Sequence, residues 1–464
     1  MIDTLIAEGK VPGTFPDRHL VKTVRRFARF ASASYGRAFL QFMGLTEEGK
    51  PPGDSKEEIS LDVHHHEHKS FSAHTGLPSH TIILSSFYDP QGVTGAEWSW
   101  AAMSPLIHFV SLDHESKAVV LTCRGTLGFE DILTDMTCDY DDIVWQGHTY
   151  KVHRGIHASA RRLIGGSGSR VMATIKATLD ENPEYGLVLC GHSLGGAVAA
   201  LAAILISEPT NNTTGQAFVT SAPPKFLTQT SSNTVRTSVP PIQLPAGRPI
   251  HVYSYGTPAT VSEPLRLATR GLITTVVNAS DIFPSLSLGT LHDFRSIALH
   301  LKHDTSDAAK NVTQRVWKRI RQGLHFDATT MPNGPPLPED MAGDGVGEDE
   351  WAWTLLQQLR GLMTNFKLVP PGEVFILETT RVFDRLSADV KKEMAYGADV
   401  NDDNKTEKVY RALGRPATRV QLKWIRDVQG RFAELRFGRD MFGDHSPGRY
   451  ESGLSALENG VCDE

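Results

Sequence analysis

Residues 186–206 read GLVLCGHSLGGAVAALAAILI. The run is long and apolar enough to cross a bilayer, but its character changes halfway, and that change decides the fold. Leu187-Val188-Leu189-Cys190 is a short apolar run of the kind that forms a strand buried on both faces. Residues 194–206 are rich in Ala and Leu and favour a helix. Between them, Gly191-His192-Ser193-Leu194-Gly195 makes a sharp strand-to-helix turn that lifts a serine hydroxyl clear of the sheet. Gly191 and Gly195 leave space where a Cβ would collide, and Gly196, Ala197 and Ala199 let the helix lie close to the strand. A helix N-terminus beside Ser193 favours negative charge there. Ser193 is therefore the candidate nucleophile. A GxSxG pentapeptide alone recurs by chance, and the strand before it and the helix after it give it weight.

Outward from this turn the pattern repeats. Apolar, β-rich runs occupy residues 81–86, 106–112 and 118–123, the last two flanking a polar turn at 113–117 that predicts a hairpin. Residues 155–182 read as helix, interrupted near Gly165-Gly166, and further strands are expected at 250–255, 272–278 and 374–378. Strands alternating with helices imply an α/β fold with a largely parallel sheet covered on both faces. Residues 17–43 are helical in pattern. Leu20, Val24, Phe27 and Phe30 alternate with Lys22, Arg25, Arg26 and Arg29, as in a membrane-surface helix or, the preferred reading, a core helix with a solvated basic face. His64-His65-His66-Glu67-His68 invites a metal, but adjacent histidines cannot all face one ion, so a solvated loop is expected. Two stretches break the order within one expected domain spanning 1–464. Residues 208–248, rich in Pro, Thr, Ser and Asn, read as a mobile insertion. Residues 301–367 combine a basic helix at 312–322, an acidic Gly/Pro segment at 333–350 and a helix at 351–362, a helical and acidic cap. The rest reads as helical and polar.

Composition excludes several classes. Lys and Arg number 47 against 53 Asp and Glu, a net charge of −6, which argues against a nucleic-acid partner. With 40% hydrophobic and 22% charged residues the chain can bury a large core. Cys123, Cys138, Cys190 and Cys462 are widely spaced and imply neither a disulfide framework nor a zinc cluster. Phosphate-loop and dinucleotide signatures are missing, so no cofactor and no metal are expected. The first residues lack a secretory pattern, and an intracellular protein is expected, cytoplasmic or peripheral on membranes or lipid droplets.

A serine hydrolase needs a base for the hydroxyl proton and an acid to orient that base. Asp281 closes a β-rich run, where a carboxylate can sit at a strand end. The chain order Ser, Asp, His of α/β-hydrolases leaves His292, His300, His303, His325 and His445 as bases. The Leu194 backbone N–H, directly after Ser193, is one expected oxyanion donor, and a second is expected from Thr126 at the end of the 118–123 strand. Residues Leu127, Phe129, Ile132, Leu133 and Met136 include an i, i+3, i+4, i+7 stripe with acids on the other face.

Several blocks, in order, resemble class 3 lipases, the fungal triacylglycerol and diacylglycerol lipase group of α/β-hydrolases. They are VLTCRGT at 120–126, VHRGI at 152–156, GHSLGG at 191–196, YGTP at 255–258, VVNASDIFP at 276–284 and MFGDHSPGRY at 441–450. The likeness spans about residues 20–300 and the far C-terminus; the insertions resemble longer intracellular members more than compact secreted ones. The resemblance implies a Ser193–His445–Asp281 triad, with the DHSPGRY block choosing His445 among the five histidines. It implies that Thr126 adds its hydroxyl to the oxyanion site, that Asp135 holds that hydroxyl, and that Leu127, Phe129, Ile132 and Leu133 belong to a lid opening at a lipid interface. The implied activity is hydrolysis of acylglycerol esters, with transient lipid-interface contact. A phospholipase, a carboxylesterase or a non-catalytic lipid-binding relative of the same fold are the alternatives. Oligomeric state is left open.

Overall fold

The strand at the heart of the sheet shows how the layers arise. Successive residues of a strand face opposite sides. Along Ala118–Cys123, Val119, Leu121 and Cys123 join one hydrophobic cluster while Ala118 and Val120 join another. Both faces are apolar because both are covered by helices, as a parallel sheet requires. The computed structural model of the chain describes residues 18–45, 63–86, 107–126, 139–165, 170–210, 217–221, 242–303, 359–381, 418–436, 438 and 440–462.

Within these the strands are β1 (Ile82–Ser85), β2 (His108–Asp113), β3 (Ala118–Cys123), β4 (Tyr140–Trp145), β5 (His148–His153), β6 (Gly186–His192), β7 (Ser207–Pro209), β8 (Phe218–Thr220), β9 (Ile250–Tyr255), β10 (Ile273–Asn278), β11 (Glu373–Arg381) and β12 (Thr418–Trp424). The helices are α1 (Arg18–Ala33), α2 (Arg37–Phe42), α3 (Val63–Thr75), α4 (Arg154–Gly165), α5 (Arg170–Glu181), α6 (Leu194–Ile206), α7 (Glu263–Ala268), α8 (Leu288–His303), α9 (Val428–Phe432) and α10 (Pro447–Cys462). The main sheet runs β1-β2-β3-β6-β9-β10-β11-β12. Its centre, β3, β6, β9, β10 and β11, is parallel, and antiparallel partners flank it on both sides. Helices α4, α5 and α6 pack with one cluster, and α1, α3 and α10 with the other. This is the α/β-hydrolase architecture the sequence predicts.

Helix α6 is buried along its whole length, which is why its sequence is apolar all round. Among the described residues no helix is long and apolar enough to cross a membrane.

Several expectations need correction. The histidine run lies at the start of helix α3 rather than in a loop; there the Glu67 carboxylate accepts a hydrogen bond from the Arg37 backbone N–H at 3.1 Å. The basic side of α1 is ion-paired rather than simply solvated. Arg26 grips the buried Asp113 through two hydrogen bonds of 2.7 and 2.6 Å, and Arg25 reaches Glu458 at 2.8 Å. Strand β12 falls in the stretch read as helical and polar; its alternation of Val420, Leu422 and Trp424 is a period of two, not of 3.6. The β4–β5 hairpin was also unanticipated. Its two-residue turn, Gln146 (φ 50°) and Gly147 (φ 79°), has the doubly left-handed form that suits the twist of paired strands. The ends of the 208–248 insertion are tied into the fold through the β7–β8 pair and the buried Leu244. Its interior, and most of the 301–367 cap, lie outside the described residues, though Lys367 pairs with the buried Asp293 at 2.5 Å.

Candidate active site

Parallel strands in register bring their C-terminal ends to one edge. Cys123 pairs with Gly191, His192 with Tyr255, and Tyr255 with Val276. The residues that leave β3, β6, β9 and β10 therefore emerge side by side, and these are the segments carrying Thr126, Ser193, Gly256 and Asp281.

Ser193 sits between β6 and α6 at φ 56° and ψ −129°, a left-handed conformation that costs a non-glycine residue on the order of 1–3 kcal/mol. The surroundings enforce it. Its N–H donates to the Tyr255 carbonyl at 2.8 Å. A Cβ on Gly195 would stand 2.2 Å from the Cys123 carbonyl oxygen, and one on Gly191 would stand 2.5 Å from the Gly195 carbonyl carbon. The turn can close only because both side chains are missing.

The expected partners converge on Ser193. His445 lies on a short 3₁₀ turn, Gly443–His445. Its Nε2 is 2.9 Å from the Ser193 Oγ and its Nδ1 is 2.9 Å from the Asp281 Oδ2. All three residues are buried. The Asp281 carboxylate also accepts from the Phe283 backbone N–H at 3.0 Å and from the Tyr450 hydroxyl at 2.6 Å. Burial pushes the Tyr450 phenol well above its ordinary pKa, and the Asp281 charge adds to it, so Tyr450 stays a donor. The same hydroxyl accepts from the Asn278 backbone N–H at 2.9 Å. One residue before His445, Asp444 anchors the loop. Its carbonyl accepts from the Asn278 side-chain amide at 3.0 Å, its carboxylate accepts from the Ser280 N–H at 3.0 Å, and Arg449 pairs with it at 2.9 Å. The Phe283 ring packs 3.9 Å from the His445 ring, centroid to centroid. Gly256 gives room for this: a Cβ there would approach Asp281 Oδ2 to 2.9 Å and His445 Nδ1 to 3.1 Å.

On the oxyanion side, Leu194 opens helix α6, whose first N–H groups have no partner within the helix. A Cβ on Gly125 would lie 3.0 Å from the Ser193 Cβ, so the strand end leading into Thr126 backs directly on the serine. Among the described residues the buried Thr126 hydroxyl has no hydrogen-bond partner, an uncommon state for such a group. Asp135 and the stripe residues Leu127, Phe129, Ile132 and Leu133 lie outside the described residues. Of the other histidines, His292, His300 and His303 lie on α8, and His325 is outside the described residues.

A serine hydroxyl, an imidazole and a carboxylate in line, all buried, form the constellation of an acyl-transfer site. The model of the family described as "Lipase (class 3)" matches residues 120–290. Residues 120–290 are thus similar to the class 3 lipase family. Rat diacylglycerol lipase-alpha (Rattus norvegicus) is 25% identical over 304 residues, covering 64% of this chain and 24% of its own length. Mouse diacylglycerol lipase-beta (Mus musculus) is 29% identical over 224 residues, covering 45% of this chain and 30% of its own. The chain thus spans about a quarter of the length of the first of these curated relatives. A solved lipase from Rhizopus microsporus var. chinensis is similar over 60% of this chain and 71% of that one, at 18% identity and a TM-score of 0.34. In the matched segment, sequence reasoning named Ser193, Leu194, Thr126 and Asp281. It assigned no role to Tyr450 or Gly256, although both stood in the motif blocks quoted. The available signal was position: Tyr450 follows His445 by five residues, in the first turn of α10.

Proposed function

We propose that this chain is a class 3 lipase, a serine ester hydrolase acting on acylglycerols. The observation that carries the reading is the unbroken line from Ser193 Oγ through His445 to Asp281, with both links at 2.9 Å. The Ser193 oxygen attacks the ester carbonyl as its proton passes to His445 Nε2. Asp281 steadies the imidazolium through Nδ1. The oxyanion faces the Leu194 and Thr126 backbone N–H groups and the Thr126 hydroxyl, which has no hydrogen-bond partner among the described residues. Collapse expels the glyceride alkoxide, which takes the proton from His445. Water activated by the same imidazole then releases the fatty acid.

The acylglycerol substrate is supported by the diacylglycerol lipases among the relatives and by the apolar stripe Leu127, Phe129, Ile132 and Leu133, which suits a lid that meets lipid when open. The test compares emulsified diacylglycerol, a phospholipid and a soluble short-chain ester, with Phe129→Glu beside the parent. Burying the Phe129 ring in lipid is worth about 2 kcal/mol, so the variant should lose diacylglycerol turnover roughly thirtyfold and keep soluble-ester turnover. Equal losses on both would remove the lid, and phospholipid as the preferred substrate would replace acylglycerol.

A further inference from the structure

His192 stands inside the GxSxG turn, and its side chain packs into the protein. It is buried. Its Nδ1 is 2.8 Å from the Tyr35 hydroxyl, and the two rings meet edge to face at 5.7 Å. On its other side the His192 ring lies 4.6 Å from the His445 ring. Tyr35 comes from the link between α1 and α2, 157 residues away in sequence. Its hydroxyl also backs on the oxyanion strand: a Cβ on Gly125 would stand 2.6 Å from that oxygen and 2.6 Å from the His192 carbonyl oxygen. One phenol thus touches the turn that carries Ser193 and the segment that leads into Thr126.

We propose that Tyr35 is a positioning residue for the acyl-transfer reaction, donating its phenol proton to His192 Nδ1 and so locking the serine turn, the oxyanion strand and the His445 ring in one alignment. The proposal rests on the serine-hydrolase reading above. The protonation states agree with it. Burial pushes the Tyr35 phenol well above its ordinary pKa, opposed in smaller measure by the Arg124 charge and the Gly125 backbone N–H. Burial, together with the nearby His445, holds His192 well below its own. A neutral phenol and a neutral imidazole can share one hydrogen bond, and in the tautomer that carries its proton on Nε2 the His192 Nδ1 accepts from the phenol. The link is braced from outside as well. The Tyr255 hydroxyl donates to the Val24 carbonyl of α1 at 2.5 Å, and the Tyr255 carbonyl is the group that holds the Ser193 N–H. Helix α1 and the link after it therefore reach the serine turn by two routes, and Tyr35 is the one that also backs on Gly125, in the segment that leads into Thr126.

Tyr35→Phe keeps the ring and removes only the proton donor. Displacements of about an ångström at a reacting centre cost up to roughly a hundredfold in rate. On a soluble ester Tyr35→Phe should lower kcat roughly ten- to a hundredfold with KM little changed, and should slow Ser193 labelling by a fluorophosphonate in the same proportion. Both are measured well below the melting midpoints of parent and variant, so that loss of folded protein does not enter. In a His192→Asn background Tyr35→Phe should change kcat less than twofold, because its target is gone. Equal kcat and labelling in parent and Tyr35→Phe, or the same fractional loss with and without His192, would overturn the proposal. A parent that labels at Ser193 while Tyr35→Phe matches it defeats the positioning role alone. A parent that neither labels nor hydrolyses defeats the serine-hydrolase reading, and the positioning role with it.

Discussion

Ser193 and the Asp281–His445 pair meet at one point and are held there by opposite means. The serine is positioned locally, by backbone and by missing atoms: a left-handed residue, a carbonyl on its N–H, and glycines whose absent Cβ atoms would run into main chain. The acid and base are positioned by side chains over long range. They lie 164 residues apart, and Tyr450, Asn278, Asp444 and Arg449 tie their loops together by hydrogen bonds. A site held by excluded volume fails by not folding, because main chain cannot yield. A site held by hydrogen bonds fails by degrees, one donor at a time.

The largest effect comes from cutting the chemistry where the two regions meet. Ser193→Ala should lower ester hydrolysis by five to six orders of magnitude, on the scale of known triads, with an unchanged melting temperature. His445→Ala should come close to it, and the double variant should add little, since the residues act as a unit. A residual rate above roughly a tenth of the parent for Ser193→Ala would remove it as nucleophile.

Gly195→Ala probes the volume-held side. The new methyl would stand 2.2 Å from the Cys123 carbonyl oxygen, and relief requires moving β3 or α6, at a cost of about 3 kcal/mol. The expected outcome in a denaturant titration is a lower midpoint together with lost activity. Full stability would mean that the strand and helix are less tightly set than their separation implies.

Tyr450→Phe probes the hydrogen-bonded side. It removes one of the donors to Asp281 without creating a clash. A fall in kcat of about tenfold at near-parental stability is expected, the worth of one charge-assisted hydrogen bond. A drop as deep as that of His445→Ala would mean that Tyr450 does more than hold the acid.

The smallest effect concerns the anchorage of helix α10. Glu451 is buried there against His74 Nε2 at 2.8 Å, with the Ser32 hydroxyl on the same oxygen and Arg29 nearby. Burial raises its pKa, but hydrogen bonding and charge from His74, the Ser32 hydroxyl and the Arg29 charge together outweigh burial and leave it below the ordinary value. A carboxyl whose pKa falls on folding stabilises fully above its unfolded value, about 4.3, and loses that contribution as pH drops through the depressed folded value. Glu451→Gln should therefore cost about 1 kcal/mol at neutral pH and flatten the acid-side decline in melting temperature. A variant with parallel melting curves at every pH would show that this carboxylate carries no acid sensitivity.

The same contrast explains what could be read from the sequence. The Ser193 turn was legible because its cause is local: strand residues, glycines and helix residues are contiguous at 186–206. Asp281 was legible as a strand end. His445 was not separable from four other histidines by spacing, because its place depends on a contact 252 residues away, and only the likeness of its motif block pointed to it. Tyr35 carries no local mark, and Tyr450 carries only its position five residues after His445, since a buried tyrosine declares its hydroxyl partner only in the folded chain. The missed β4–β5 hairpin and β12 are a different kind of failure. Their alternation was visible, but Gln146-Gly147 is a weaker turn signal than Asn-Gly, and the charged residues of 418–424 masked a period of two.

The sequence separation of 252 from Ser193 to His445 also sets an order of events at the ribosome. At roughly 5–20 residues per second, their addition takes on the order of 13–50 s. Throughout that interval the nascent chain carries its serine and glycines and gains β9 to β12, but lacks its base. Residues 440–462 supply the imidazole, the phenol that steadies Asp281 and the helix that packs on α1. Their arrival completes the triad in a single step, so a chain stopped short of residue 445 has the serine turn but not its base.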